Sequence, residues 1–349
     1  MTKLIYSHRS YICGQEFEVK LNDGQLILLG GNKKETQHIY NYIETSECVE
    51  LIKNKTNDIN EQDMSIHLLA LIDALFSFFE GTHFIKIDSF HCKPELNDQL
   101  HCYLNSLWVI GSEVSRELFY QQQNLWLTKP VITPYPTKYI TKNNHYSPKR
   151  PYLNHKILYQ RYIPWLKSTL SFRLFDLEKD LVTFNKWMND PEIDFFWEES
   201  GSLDDHREYI NERLKPNSVN LPLIALLDDQ PFGYFEVYWA KEDRMSIYYP
   251  VENFDRGWHV LIGDKAYRGK SFVSAWMPSI SHYLFLDDSR TQRIVIEPRI
   301  DNNKMIKNLN KCGYAHLKTF NFPHKRAMLG MLERENFFSS LVLLPQLDK

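Results

Sequence analysis

At 349 residues the chain is long for one unit of about 100–200 residues, so it is expected to hold two units, or one large domain with an accessory lobe. Its 43% hydrophobic residues can supply a full core, and a net charge of −3 without a basic block argues against a nucleic-acid partner. Five irregularly spaced cysteines give no disulfide framework, the start MTKLIYSHRSYICGQEF has no signal-type apolar stretch, and no apolar run reaches the roughly 18 residues of a membrane span. A soluble, cytoplasmic protein without a membrane partner is the expectation.

In chain order, Glu16 to Lys20 and Gln25 to Leu29 flank Asp23-Gly24 and read as a hairpin. Met64 to Glu80 is an apolar helix ended by Gly81; His67, Asp73 and Ser77 within it point to a buried helix rather than a membrane span. His83 to Ile87 reads as a short strand, and Leu100 to Gln122 as helix-rich with a strand near Trp108. Residues 1–128 thus form an α+β lobe without a legible motif. From 129 to 167, Pro130, Pro134, Pro136, Pro148, Pro151 and Pro164 punctuate a Tyr-rich stretch expected to be a surface-packed linker.

Residues 168–349 are more regular. Leu170 to Leu174 is a strand, and Asp176 caps a helix from Leu177 to Met188 that stops at Asn189-Asp190-Pro191. Ser202 opens a helix through Leu214, and Leu221 to Leu227 and Phe232 to Ala240 form a hairpin about Asp228-Asp229-Gln230. Arg256 to Ile262 is a strand running into a glycine-bearing turn, followed by a helix from Ser271 to Phe285. A strand at Gln292 to Glu297, a helix capped by Asp301 and ended by Gly313, and strands at His316 to Phe320 and Ala327 to Glu333 complete the order. Antiparallel hairpins joined to one β-turn-α crossover make an α/β (α+β) fold with a mostly antiparallel mixed sheet flanked by helices.

The turn Arg268-Gly269-Lys270-Ser271 opens a helix, where glycine lets the backbone approach an anion and the first N–H groups lack helical partners. Arg268 and Lys270 add charge-assisted contacts to phosphate oxygens. By itself such a turn is equally well explained by a structural glycine.

With its context, ending in Lys311-Cys312-Gly313-Tyr314, the carboxyl-terminal half resembles the GNAT acetyltransferase family, whose turn binds coenzyme A pyrophosphate. Arg268 matches the first position of that family's turn pattern and Gly269 lies inside it, whereas Ser271 and Val273 replace its later small residues. The runs PFGYFEVYWAKEDR (231–244), FDRGWHVLIGDKAYRG (254–269) and WMPSISHYLFLDDSRTQRIVIEPRIDN (276–302) are similar to the hydroxamate-forming branch that serves aerobactin, alcaligin, rhizobactin and mycobactin synthesis. The resemblance implies an N-acyltransferase that moves an acyl group, acetyl in the simplest case, from acyl-CoA to a hydroxylated amine such as N-hydroxylysine or an N-hydroxydiamine, with no metal. An aminoglycoside-type amine is the alternative acceptor.

It also implies roles for residues. Ile262, Arg268, Gly269, Lys270 and Ser271 would bind the coenzyme. His259 is either a hydrogen-bonded core histidine or, by the resemblance, a neutral general base. Asp301 would orient it, or only cap the following helix. Leu309 stands where many GNAT enzymes carry a tyrosine acid, which leaves Tyr314, water or His259 to protonate the thiolate. Trp197, Glu198 and Glu199, with Glu236, Tyr238 and Trp239, are candidates for acceptor binding, with at least one of Tyr238 and Trp239 facing the cleft. A backbone N–H near Tyr238 is the candidate oxyanion donor. His91-Cys92 and His101-Cys102 lack zinc-finger spacing, and Asp287-Asp288 reads as paired or solvated charge. The amino-terminal lobe is a candidate degenerate copy of the fold that walls the acceptor cleft or forms a homodimer.

Overall fold

Apolar alternation and turn residues build two sheets. The computed structural model describes residues 6–12, 14–31, 37–45, 48–52, 61–87, 113–128, 136–142, 145–151, 157–215, 218–340 and 343. It divides into two units, residues 1–130 with 160–169, and residues 131–159 with 170–349. The sequence pairs His91-Cys92 and His101-Cys102 lie outside the described residues.

The first unit comprises β1 (Tyr6–Ile12), β2 (Gln15–Asn22), β3 (Gln25–Gly30), β4 (Gln37–Glu44), β5 (Val49–Ile52), α1 (Glu61–Phe78), β6 (Phe84–Ile87), β7 (Glu113–Ser115), α2 (Arg116–Tyr120) and α3 (Gln123–Trp126). Its strands lie in chain order in one sheet. The expected hairpin is present, with Asn22 opposite Gln25 and Gly24 at φ 69°. The apolar run of α1 is buried from Leu68 to Ile72 and from Ala74 to Phe76, as its lack of a polar stripe requires. Strands β1, β4 and β5 escape the sequence reading; β4, QHIYNYIE, mixes polar and aromatic residues without clean alternation.

The second unit contains a hairpin of β8 (Tyr139–Lys142) and β9 (His145–Pro148). Next come β10 (Ile157–Ile163), β11 (Ser168–Leu174), α4 (Leu177–Met188), α5 (Pro191–Trp197), α6 (Leu203–Leu214), β12 (Asn220–Leu227), β13 (Gln230–Trp239) and β14 (Arg256–Ile262). The remainder is α7 (Lys270–Asp287), β15 (Arg293–Ile296), α8 (Asn303–Lys311), β16 (Ala315–Asn321), β17 (Arg326–Glu333) and α9 (Arg334–Ser339). Residues 160–169, which end β10 and begin β11, group with the first unit. The segment 129–167 therefore carries strands where a strand-poor linker is expected. Two of its prolines stand at strand ends, Pro148 closing β9 and Pro164 just past β10, where a missing N–H costs no central ladder bond.

Local chemistry sets the helix starts. Asp176 and Asp190 accept from the N–H groups of Glu178 and Glu192, and Ser202 and Asp205 form a reciprocal capping box. Helix α5, with Pro191 in its first turn, is an element that the sequence reading leaves as a loop. Phe184, Trp187, Ile193 and Ile210 from α4–α6 pack with Ile224, Tyr234 and Leu261 of the sheet.

The sheet order is β10-β11-β12-β13-β14-β15-β17-β16. Strands β14 and β15 are parallel and pair at Arg256–Ile294 and Gly257–Val295; the pairing stops there, while β14 runs on to Ile262. Past Gly257 the two strands part, and the opening lies on either side of His259 and Glu297. The first unit repeats this path: five antiparallel strands (β1 to β5), a helical crossover (α1) to a parallel strand (β6), then an antiparallel neighbour (β7).

Gly257 is required at the lip of the opening. A Cβ there would lie 2.2–2.4 Å from the Tyr238 ring. Gly257→Ala is expected to destabilise the protein by about 1–3 kcal/mol through overpacking, read as a lower urea midpoint. A wild-type midpoint would contradict this packing.

Candidate active site

Strand register assembles the site. Glu236 is directly opposite His259, and Tyr238 opposite Gly257, so the period of two along β13 places Tyr234, Glu236 and Tyr238 on one face with His259. The pairing of Gly257 with Val295 carries Glu297, just past β15, to the level of His259 across the opening. From α6, Tyr209 and Arg213 reach the same point because residues four apart share a helix face.

His259 lies between two buried carboxylates. Its Nε2 is 2.8 Å from Glu297 Oε1 and its Nδ1 3.5 Å from Glu236 Oε2, and 24% of the side chain stays open to the cleft. Glu236 Oε1 accepts from the hydroxyls of Tyr209 (2.6 Å) and Tyr234 (2.8 Å) and from Arg213 Nε. Glu297 Oε2 accepts from Tyr238 (2.8 Å). Burial disfavours a charged imidazole, but the Glu297 and Glu236 carboxylates outweigh it and raise the His259 pKa to about 10. Burial likewise works against the carboxylates, yet the His259 contact and the Arg213 charge bring Glu236 down to about 2. Glu297 also falls below the usual carboxylate range: burial opposes this, and His259 outweighs it. A charged ring thus stands where a neutral base is expected.

A cleft of about 570 Å³ opens over this cluster, lined among others by Trp197, Glu198 and Glu199 beyond α5, by Val260 and Pro298 beside the strand opening, and by Asn302 and Met305 of α8. At the end of β14, Gly269 adopts φ 119° and α7 begins at Lys270, the first residue of a helix start that the sequence places correctly. Arg268 closes the turn on itself: Nε and Nη2 donate to the Ile262 carbonyl at 3.1 and 2.8 Å, and Nη1 to Glu192 at 2.6 Å.

The remaining sequence candidates separate. Trp197 and Glu198 line the cleft. Glu236 lines the cleft but is bound into the His259 cluster, and Tyr238 is buried and outside the lining, so neither Tyr238 nor Trp239 faces the cleft as expected: Tyr238 is drawn down to Glu297. Trp239 is not among the cleft residues; its ring lies between the guanidinium groups of Arg150 and Arg256, each 4.0 Å from its centre. Asp301 does not meet His259. It is exposed and paired with Arg299 at 2.8 Å, and Asn302, not Asp301, caps α8 by accepting from Met305 N–H. The chain bends at Pro298, so the carboxylate in register with His259 is Glu297, four residues earlier. Tyr314 is buried, accepting from Trp258 Nε1 and bonded to Ser281, each at 2.8 Å, and Leu309 is buried as well, so neither supplies an acid to the cleft. Asp287 and Asp288 are paired with Arg256 and Arg290. Sequence reasoning passes over Glu297, Arg213 and Tyr209; the one available signal for Glu297 is an acid ending the apolar run IVI.

Residues 176–322 match the acetyltransferase (GNAT) domain family. The chain is 38% identical over 235 residues to an N(6)-hydroxylysine O-acetyltransferase of Escherichia coli, spanning 67% of this chain and 74% of that protein. It is 41% identical over 184 residues to an N(5)-hydroxyornithine:cis-anhydromevalonyl coenzyme A-N(5)-transacylase of Beauveria bassiana, 52% of this chain and 40% of that protein. Among solved structures, an uncharacterised protein from Bacillus halodurans superposes with TM-score 0.50 at 27% identity, over 54% of this chain and 97% of that one.

Removing the imidazole leaves Glu236 and Glu297 buried without their shared cation. His259→Ala is expected to cost about 3–5 kcal/mol, with a large part recovered on adding Glu297→Gln in a double-mutant cycle. The pH dependence has a definite sign. The raised His259 pKa contributes stability in full below about 6.5, and this is lost as pH rises through about 10; that of Glu236 is full above 4.5 and lost as pH falls through about 2. Urea melts across pH test both, and a His259→Ala protein as stable as the parent would exclude the cluster as a buried ion pair.

Proposed function

The chain belongs to the GNAT acyltransferase family, and from that premise we propose that it transfers the acyl group of an acyl-CoA to the nitrogen of a hydroxylated amine, forming a hydroxamate for siderophore synthesis. Acetyl is the proposed acyl group. The observation that carries this reading is the placement of the His259 cluster in the opening between β14 and β15, on the strand that feeds the Gly269 turn. The proposed coenzyme site is the start of α7, where the first-turn N–H groups suit an anion and Arg268 and Lys270 add positive charge. Ile262 holds Arg268 through its carbonyl.

In the transfer, the nitrogen lone pair attacks the thioester carbonyl carbon, a C–N bond forms and the C–S bond breaks. The nitrogen sheds one proton and the thiolate gains one. A protonated His259 donates to the departing thiolate and recovers a proton from the acylated nitrogen, so the ring ends each turnover charged. This role supplies the acid that Leu309 and Tyr314 do not. The flanking carboxylates hold the ring in its charged form between turnovers. The amino-terminal unit, with its matching strand path, fits a copy of the fold.

Two measurements test this. In a coenzyme A release assay near pH 7, hydroxylated amines should react faster than their parent amines, because an alkylamine of pKa about 10.4 is neutral in only roughly one molecule in 10³. No release with any hydroxylamine, or preference for an aminoglycoside, would defeat the acceptor assignment. With His259 acting in its charged form, kcat/KM should hold from neutral pH upward and fall as pH passes about 10. A rate that instead rises toward pH 10 would return His259 to the role of neutral base.

A further inference from the structure

One wall of the cleft carries charge that acyl transfer leaves unused. Arg244, His324 and Lys325 all line the cleft and gather around a single ring, that of Phe322. The Arg244 guanidinium is 5.0 Å and the Lys325 ammonium 5.4 Å from the ring centre, and the His324 ring stacks on it at 5.5 Å. Phe322 is itself buried in the cluster that contains Tyr238 and Val295, so the platform is fixed to the sheet.

The acids on this wall do not match the cations. Lys325 Nζ lies 3.8 Å and Arg244 Nη2 3.9 Å from Glu297 Oε1, the same oxygen that meets His259 Nε2 at 2.8 Å. One carboxylate therefore faces three cationic groups. Lys325 makes its direct hydrogen bond to a neutral group, the Glu297 carbonyl, at 2.9 Å. Asp243, the neighbouring acid, accepts from Met245 N–H at 2.9 Å, and burial followed by the Glu297 charge pushes its pKa up. Burial holds the Lys325 amine below its ordinary value despite Glu297, with Arg244 and Arg299 adding repulsion. Desolvation, then Arg244 and Lys325, does the same to His324. Arg244 remains half exposed and turned to the cleft.

We propose that Arg244 and Lys325 form a carboxylate subsite, so that the acceptor is an N-hydroxylated amino acid rather than a hydroxylated diamine. This rests on the acyltransferase reading and narrows its substrate. A guanidinium fork matches a carboxylate in two parallel hydrogen bonds, and the Phe322 ring restricts hydration on the far side of the cations. The position suits an acceptor chain of a few methylenes. Arg244 belongs to the connection that enters β14 at Arg256, whereas the coenzyme turn leaves the same strand after Ile262, with His259 between them. A hydroxylamine at His259 with its carboxylate at Arg244 therefore leaves the coenzyme end of the strand free.

A dicarboxylic acyl donor would present the same chemistry from the other substrate, and the test separates the two. Coenzyme A release is measured with N6-hydroxylysine and with N-hydroxycadaverine, which lacks only the carboxylate, each with acetyl-CoA and with succinyl-CoA. The enzymes compared are the parent, Arg244→Gln and Arg244→Lys, with thermal melts on the same preparations. With acetyl-CoA the parent should show a KM for hydroxylysine at least about tenfold below that for hydroxycadaverine. Arg244→Gln should raise the hydroxylysine KM by about 10- to 100-fold, the worth of a charge-assisted bond, and abolish the preference, while Arg244→Lys keeps part of it. Equal effects of Arg244→Gln on both acceptors would overturn the subsite and leave the acyltransferase reading intact. A preference that follows succinyl-CoA and disappears in Arg244→Gln would place the carboxylate on the donor and overturn the acceptor assignment. Failure of every hydroxylamine would overturn both readings.

Discussion

The second unit is organised around one imidazole held between two carboxylates that water cannot reach. Glu236 and Glu297 are each buried, and neither could stay ionised there without a cation and several hydroxyl donors. His259 is the cation that the two share, with Arg213 a second one at Glu236. That arrangement requires β13 and β14 to pair in one register, with Glu236 opposite His259, and requires β15 to leave β14 after Gly257, so that Glu297 approaches the ring from the other side. The absence of a side chain at Gly257 admits the Tyr238 ring, and Tyr238 in turn satisfies Glu297. Each feature of the site depends on the same strand divergence.

The same strand has distinct surroundings at its two ends. The Gly269 turn leaves one end of β14, and the basic wall around Phe322 is reached from the connection entering the other. His259 lies between the two, charged, with a quarter of its side chain open to the cleft. A cation there suits a reaction whose leaving group is a thiolate and whose nucleophile is already neutral, because the demand falls on stabilising developing negative charge rather than on removing a proton first. At the coenzyme turn, Arg268 is bonded to the Ile262 carbonyl and to Glu192. The guanidinium therefore shapes the turn as well as adding positive charge beside it.

The first unit follows the same strand path, with five antiparallel strands, a helical crossover to a parallel strand, and an antiparallel strand beyond. Its parallel pair, β5 and β6, runs in register over Val49–Ile85 to Leu51–Ile87, one residue pair longer than that between β14 and β15. The α1 helix in its crossover is apolar throughout its middle, where the corresponding α7 begins with basic and hydroxyl residues at a glycine turn. The two units share a topology and differ in the composition of the crossover helix.

By itself, the sequence determined what depends on near neighbours. The Asp176 cap, the Asp228-Asp229 hairpin with both residues at positive φ, the strand Arg256–Ile262 and the glycine turn opening α7 all follow from residues a few positions apart, and all stand where that reading puts them. The position of His259 relative to the Gly269 turn was legible for the same reason, both being on one continuous strand-turn-helix. The tertiary structure alone decided the rest. Asp301 and Glu297 are four residues apart and chemically similar, and only the register across the β14–β15 opening selects Glu297. Tyr238 and Trp239 alternate faces on any strand, but which of them meets the His259 cluster is set by the β13–β14 pairing. The charge on His259 is likewise invisible in the sequence, since it comes from two carboxylates 23 and 38 residues away whose approach depends on the folded sheet. A protonation state is a property of the distances between groups, and those distances exist only after the strands have paired.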